Sequence, residues 1–456
     1  MMRLIWLASV VVVLAAPAAA TSPPFERRTL ANGAVLLVSE QRAVPMVDIE
    51  ILVDAGSRRD PRGKEGLAQL TADLLNEGTE RYTASELAEA VDRLGASLST
   101  HAGIDYASLN LRALSKHLDS GIELLSEVLL RPTFAREELD RRVEAVLASM
   151  RAAEDNPGWL AYRAFVDEVF DDEPYGHLSE GTAEAVASIR REDVTSFFTR
   201  HYAPQGAIVT VVGDVAADDV QARLERAWSS WRRAADHKDL AYPEPSRSAA
   251  GVTVIRKPLS QTNILLGHRG IERKHPDYYA VEVMNHILGG GGFGSRLVDR
   301  IRTRGGLAYS VGSGFSTPQF PGSFRVSMQT KSDSTLEAIR LVCDELRRIR
   351  LEPVSAEELE AAKLYLTGNF PLQLDSNGQV AGLLASPGFL DLGDRYAEEY
   401  VRRIQAVSAD DVQRAARQHV RPEDLRLVLV GDTDWDRSTR SPTVCAPAGS
   451  EAPTES

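Results

Sequence analysis

The stretch DVTSFFTRHYAPQGAIVTVVGD (193–214) returns, altered but in register, as DVQRAARQHVRPEDLRLVLVGD (411–432). Asp193, Val194, His201, Gly213 and Asp214 recur as Asp411, Val412, His419, Gly431 and Asp432, all displaced by 218 positions. Upstream, FAREEL (134–139) recurs as VSAEEL (354–359), displaced by 220. Two matched segments in the same order at nearly one offset mark a duplicated domain. The period is far too long for a solenoid built of ~20–50-residue units.

Around the first copy the pattern alternates between strand and helix. Residues 28–40 alternate about Asn32-Gly33, a hairpin signal, and 47–53 continue as a strand. Leu67, Leu70, Leu74 and Leu75 recur at helical spacing over 65–76. Thr83 and Glu86 form a capping box that opens the next helix. Strands are expected at 97–101 and 106–114, long helices at 118–130 and 137–153, and a closing strand at 207–212. The second copy repeats this order. The mixture predicts an α+β fold of two homologous lobes, each a mainly antiparallel sheet with helices packed on one side. The boundaries expected are 25–235 for the first lobe, 252–435 for the second, and 236–251 for a Pro- and Ser-bearing linker.

The ends differ from the lobes. Arg3 precedes an apolar run (4–16) closed by Pro17-Ala18-Ala19-Ala20, the form of a secretory signal cleaved after Ala20. The chain is therefore expected to be exported, into a bacterial periplasm or beyond. Residues 436–456, rich in Pro, Ser, Thr and Ala, are expected to be disordered. Of 456 residues, 43% are hydrophobic and 26% charged, and after residue 20 no apolar run approaches the ~20 residues that a membrane span requires. The net charge of −13 becomes −14 when Arg3 is removed, which argues against nucleic acid and anionic membranes as partners. With only Cys343 and Cys445, in contexts without neighbouring Cys or His, neither a disulfide framework nor a thiolate metal site is expected.

Three segments carry a resemblance. GLAQLTADLLNEGT (66–79) resembles the helix that holds the inverted zinc motif, His-x-x-Glu-His, of the insulinase/pitrilysin-type (M16) zinc peptidases. PYGHLSEGTAEAVASIRREDVTSFFTRHYAP (174–204) resembles the stretch that follows it, and LGGGGFGSRLVDRIRTRGGLAYSVGSGF (288–315) is similar to the family's glycine-rich segment and Arg…Tyr motif. The resemblance runs from about residue 25 to 432 and implies the family's duplicated two-lobed layout.

The motif's chemistry is missing. Two His at i and i+4 share one helix face and can bind one metal, while a Glu beside the second His activates the metal's water. Gln69, Ala72 and Asp73 stand at these positions, and alignment puts Arg142 where a distant Glu would complete the ligand set. No two of the nine His are three or four apart, so no helix offers a two-His clamp, although distant His can still assemble a site. There is no Gly-x-Ser-x-Gly elbow, and the run Gly289–Gly292 lacks the Gly-Lys-Ser/Thr of a phosphate loop.

Arg302 and Tyr309 remain. In the resembling family an Arg and a Tyr at this spacing face the zinc from the opposite lobe or subunit, the Tyr donating to the oxyanion and the Arg holding a carbonyl or carboxylate. Gly289, Gly290, Gly291 and Gly292 would let backbone approach substrate, or serve only as a helix end and loop. Thr303 and Gly305 replace the family's usual charged residues beside the Arg. The resemblance implies a non-catalytic subunit that carries no cofactor itself and completes a homologous M16 partner with an intact His-x-x-Glu-His and its zinc. Unfolded peptides would be the substrates. Two other outcomes stay open: an assembly protein with no part in proteolysis, and a metallopeptidase with unusual ligands. The mature chain is expected to begin at Thr21, checked by intact-mass measurement of the exported protein; retention of residues 1–20 would identify an uncleaved anchor.

Overall fold

A computed structural model describes residues 23–235, 240, 242–243, 250–433, 435 and 444–445. The expected signal peptide, most of the linker and most of the tail lie outside these. The first lobe runs β1 (Glu26–Thr29), β2 (Val35–Glu40), β3 (Met46–Val53), α1 (Leu67–Leu74), α2 (Ala84–Arg93), β4 (Ser97–Ala102), β5 (Ala107–Leu114), α3 (Leu118–Leu130), α4 (Arg136–Ala153), α5 (Pro157–Phe170), α6 (Ala183–Ser188), α7 (Arg191–His201), β6 (Ile208–Gly213) and α8 (Ala217–Ala227). The second runs β7 (Gly251–Arg256), β8 (Gln261–Arg269), α9 (Tyr278–Asn285), β9 (Ala308–Ser316), β10 (Ser323–Lys331), α10 (Thr335–Leu351), α11 (Ala356–Asn369), α12 (Asn377–Phe389), α13 (Tyr396–Ala406), α14 (Ala409–His419) and β11 (Arg426–Gly431). Among the described residues no helix is long and apolar enough to cross a membrane.

The duplication is legible in the topology. The sheets are ordered β1-β2-β6-β3-β5-β4 and β7-β11-β8-β10-β9, so the second repeats the first without its outermost strand. Among the described residues, only β2/β6 and β7/β11 pair in parallel. The matched apolar runs of the repeat form β6 and β11, which lie inside their sheets and are buried along almost their whole length. Local signals hold: Gly33 takes φ +95° in the β1–β2 turn, and Thr83 and Glu86 close the capping box of α2.

Each sheet has one face on its own lobe's helices. The opposite faces are covered by exchange, which periodicity did not indicate. Helix α5 of the first lobe lays Leu160, Phe165, Val166 and Val169 against Leu265 of β8 and Val428 and Val430 of β11. Helix α12 of the second lobe lays Val380, Ala381, Leu384 and Ala385 against Leu37, Leu52, Ile208 and Val212. Each large aliphatic side chain so buried contributes about 1.5–3 kcal/mol. A buried polar seam joins the lobes as well: Asp105 accepts from Tyr175 Oη at 2.5 Å and from the Gln319 backbone N–H at 2.8 Å, and Arg269 pairs with Glu173 at 2.9 Å. Tyr242, inside the expected linker, stacks on Phe320 with ring centroids 4.5 Å apart and donates to Glu173.

The cysteine expectation is corrected. Cys343 and Cys445 form a disulfide, with Cα atoms 5.3 Å apart. Cys343 lies on the buried face of α10, and Trp435 and Cys445 are themselves buried against the second lobe's core. A separation of 102 positions carries no pairing signal; only the return of the chain along α10 brings the sulfurs together. Trp435 and Cys445 are thus fixed to the second lobe's core.

Helix exchange also buries a charge. Asp48, Glu50 and Leu52 alternate onto the β3 face under α12, where Asp48 accepts from Arg112 at 2.7 Å. Burial, with repulsion from Asp48 second, pushes the Glu50 carboxyl up to about 7. Glu50 holds its proton more tightly folded than unfolded. The stability this gives is complete below pH ~4.5, is lost as pH rises toward 7, and is flat above, a difference of about 3 kcal/mol at most. Glu50→Gln is therefore expected to stabilise the protein by about 1–3 kcal/mol at pH 8 and to leave it nearly unchanged at pH 4.5, in urea unfolding at the two pH values.

Candidate functional site

Helix α1 packs over β4, between α4 and α7. Because i and i+4 share a helix face, Gln69 and Asp73 meet as the sequence predicts, and Gln69 Nε2 donates to Asp73 Oδ1 at 2.6 Å. From α4, Arg142 reaches Asp73: its Nε is 2.9 Å and a terminal nitrogen 2.6 Å from Asp73 Oδ2. Ala72 is fully buried on the same turn and presents only a methyl group. Gln69 Oε1 is taken by the Ala102 backbone N–H at 3.3 Å, at the end of β4. Beneath lies Tyr202, whose phenol is driven far above its usual range by burial and then by the nearby Asp73 carboxylate.

These residues do not fit a zinc ion. Tetrahedral zinc needs three protein donors such as His and carboxylate, plus a base to work on its water. The cluster offers one carboxylate, and a guanidinium already neutralises it. The cation is built into the chain.

The second constellation forms at the edge of the other sheet. Arg302, on the wide helical turn Val298–Arg304, has its guanidinium carbon 5.0 Å from the ring centre of Tyr309 on β9 and 4.6 Å from that of Phe293. Tyr309 is 81% exposed and Phe293 74%, so this sandwich faces away from its own core. Cation–π contacts at exposed sites are worth about 0.5–1 kcal/mol each, a modest bias toward this arrangement.

The four glycines divide. Gly289 is buried, and a Cβ there would come 2.6 Å from the Ser313 backbone nitrogen, so its role is close packing of the α9 extension on β9. Ser313 Oγ in turn donates to Asn285 Oδ1 at 2.8 Å. Gly290 and Gly291 abut Asn285 and His286. Gly292, at φ +57°, turns the chain outward and delivers Phe293. Phe293 was not singled out from the sequence; an aromatic residue inside a glycine run was the available signal.

Comparison with known proteins fits this geometry. Residues 35–182 match the model of Insulinase (Peptidase family M16), and 188–366 match that of the Peptidase M16 inactive domain. A crystal structure from Pseudomonas fluorescens, described as a peptidase M16 inactive domain, is 31% identical, with a TM-score of 0.85, over 90% of this chain and 98% of that one. The chain belongs to peptidase family M16. An "Uncharacterized zinc protease" of Rickettsia bellii is 27% identical over 86% of this chain and 94% of its own length. A "Non-peptidase homolog" of Helicobacter pylori is 26% identical over 88% and 93%. The match to the inactive-domain model and the likeness to a non-peptidase homolog fit a non-catalytic member, as do the substitutions on α1.

If the Asp73–Arg142 pair is part of the core, Arg142→Ala leaves a mostly buried carboxylate with Gln69 as its remaining partner. This variant is expected to cost about 1–3 kcal/mol in urea unfolding. A loss below about 0.5 kcal/mol would mean that solvent screens the pair.

Proposed function

We propose that this protein is the non-catalytic subunit of an exported M16 zinc peptidase. It pairs with a homologue that carries an intact His-x-x-Glu-His motif and the zinc. The observation that carries this reading is the Arg142–Asp73 pair: an ion pair formed within the chain stands where the active relatives of the fold need ligands. The peptidase chemistry is therefore assigned to the partner.

Arg302 and Tyr309 supply what this chain adds. Tyr309 presents a hydroxyl donor to the outside, stacked on a guanidinium that keeps the local potential positive. Donors aimed at a developing oxyanion are worth about 3–4 kcal/mol. Unfolded peptide would lie along an outer strand, β4 or β9, adding its backbone to the sheet. The acidic chain has no feature that calls for nucleic acid. The Cys343–Cys445 disulfide supports a periplasmic or extracellular location, where such bonds persist.

The purified chain alone is expected to cut no peptide. Combined with the zinc-bearing homologue it should give a chelator-sensitive peptidase, and Tyr309→Phe in this chain should lower kcat about 100-fold with little change in KM. An active complex indifferent to Tyr309→Phe would remove the in-trans role. Failure of any M16 homologue to co-purify would favour an assembly protein.

A further inference from the structure

Two histidines 144 positions apart in sequence meet in the second lobe, together with a carboxylate. His275 and Asp277 lie in the turn before α9, and His419 is the last residue of α14, the helix on which α9 packs. One ligand atom from each of the three side chains lies within 4.8 Å of the other two. Asp277 is oriented from two sides: Arg414 pairs with Oδ1, and His419 Nε2 is 2.8 Å from Oδ2. His275 accepts the Asp277 backbone N–H on Nδ1 at 3.1 Å, which leaves Nε2 as its ligand atom. Asp277 and His419 are buried and His275 is half-buried, so the cluster is held from behind and open on one side.

The first lobe fills the same place differently. There α1 packs on α7, which ends in His201, the repeat partner of His419. Three residues before α1 stands Lys64, whose Nζ is held at 2.8 Å by both Asp193 Oδ2 and the Ser188 carbonyl. Three residues before α9 stands His275, and where Gly66 directly precedes α1, Asp277 directly precedes α9. At both positions the second lobe has replaced a fixed cation or a bare backbone with a metal-ligating side chain.

We propose that His275, Asp277 and His419 bind one divalent transition-metal ion of the zinc class, with water completing the coordination. Ligand atoms around tetrahedral zinc lie about 3.3 Å apart, given bonds of about 2.0–2.1 Å. The Asp277–His419 contact has to open by a few tenths of an ångström and His275 has to swing inward by at most about 1.5 Å. His419 takes the tautomer with its proton on Nδ1 as the metal enters, which frees Nε2 to ligate, and Arg414 remains on the far carboxylate oxygen, orienting it. That guanidinium also repels the ion, so micromolar affinity is expected instead of the far tighter binding of all-cysteine sites. The metal would tie the turn before α9 to the end of α14. This differs from the expectation that the chain carries no metal, and it leaves the peptidase reading untouched, because the cluster is on the other lobe from Gln69 and Asp73.

The test uses the full mature chain without a polyhistidine tag, stripped with chelator. Cobalt(II) is titrated and followed by its visible d–d absorption, with zinc competition and zinc content measured by elemental mass spectrometry. One equivalent with a tetrahedral cobalt spectrum is expected, weakened about 100-fold or more in His275→Ala and unchanged in Asp73→Asn, with circular dichroism confirming that both variants fold. Absence of saturable binding at micromolar metal, or equal binding by His275→Ala, would overturn the site while leaving the non-catalytic reading intact. Binding abolished by Asp73→Asn but not by His275→Ala would instead put the metal on α1, and both readings would fall.

Discussion

A sheet has two faces, and each lobe of this protein has helices of its own for only one of them. The other face of the first sheet is closed by α12 and that of the second by α5, each supplied by the opposite lobe. Neither sheet can complete its burial alone, so the two repeats behave as one cooperative unit and not as beads on a linker. The Gln319 N–H to Asp105 bond, which extends the first lobe's own Tyr175–Asp105 bond, and the Arg269–Glu173 pair sit inside this exchange and form only when the lobes are docked. Glu50 is the cost of the same arrangement: a position that alternation would turn to solvent in an isolated lobe is roofed by a helix.

That rigidity frames what has changed on α1. The helix and its i, i+4 spacing are present and α4 packs on it, while a hydrogen-bonded ion pair stands in place of zinc-ligating residues. Asp73 with Arg142 satisfies in one contact what a metal and its ligands satisfy by coordination, and a fully buried Ala72 leaves no base beside it. The Arg302 sandwich has gone the other way. It is exposed, aromatic and cationic, held by cation–π contacts to residues from a glycine-delivered loop and an outer strand. A buried, self-satisfied first-lobe cluster and an exposed, unsaturated second-lobe one are what a subunit would show if its remaining chemistry were directed at another molecule.

The second lobe also diverges from the first at matched places. Lys64 in one repeat and His275 in the other occupy the same position relative to the first helix, and the first holds an ammonium where the second gathers imidazoles around Asp277. Duplication preserves the backbone that such positions share and leaves the side chains free to take on different work. The disulfide of Cys343 with Cys445 is another addition confined to the second lobe.

The repeat, the strand and helix periods, the capping box and the loss of the zinc ligands were all readable along the chain, because each depends on residues within a few turns of one another or on a direct match between copies. Alignment placed Arg142 at the position of the distant ligand, but its ion pair with Asp73 came only with the packing of α4 on α1. What sequence left undetermined is what distant segments do when the fold brings them together. The exchange of α5 and α12 is decided by which apolar faces remain uncovered once the sheets form. The disulfide, the Phe293 stack and the His275–Asp277–His419 cluster depend on chain segments that return from far away, and no local period records a contact across 102 or 144 positions. Local order follows from backbone geometry and hydrophobic spacing; the sites follow from packing, which only the tertiary structure decides.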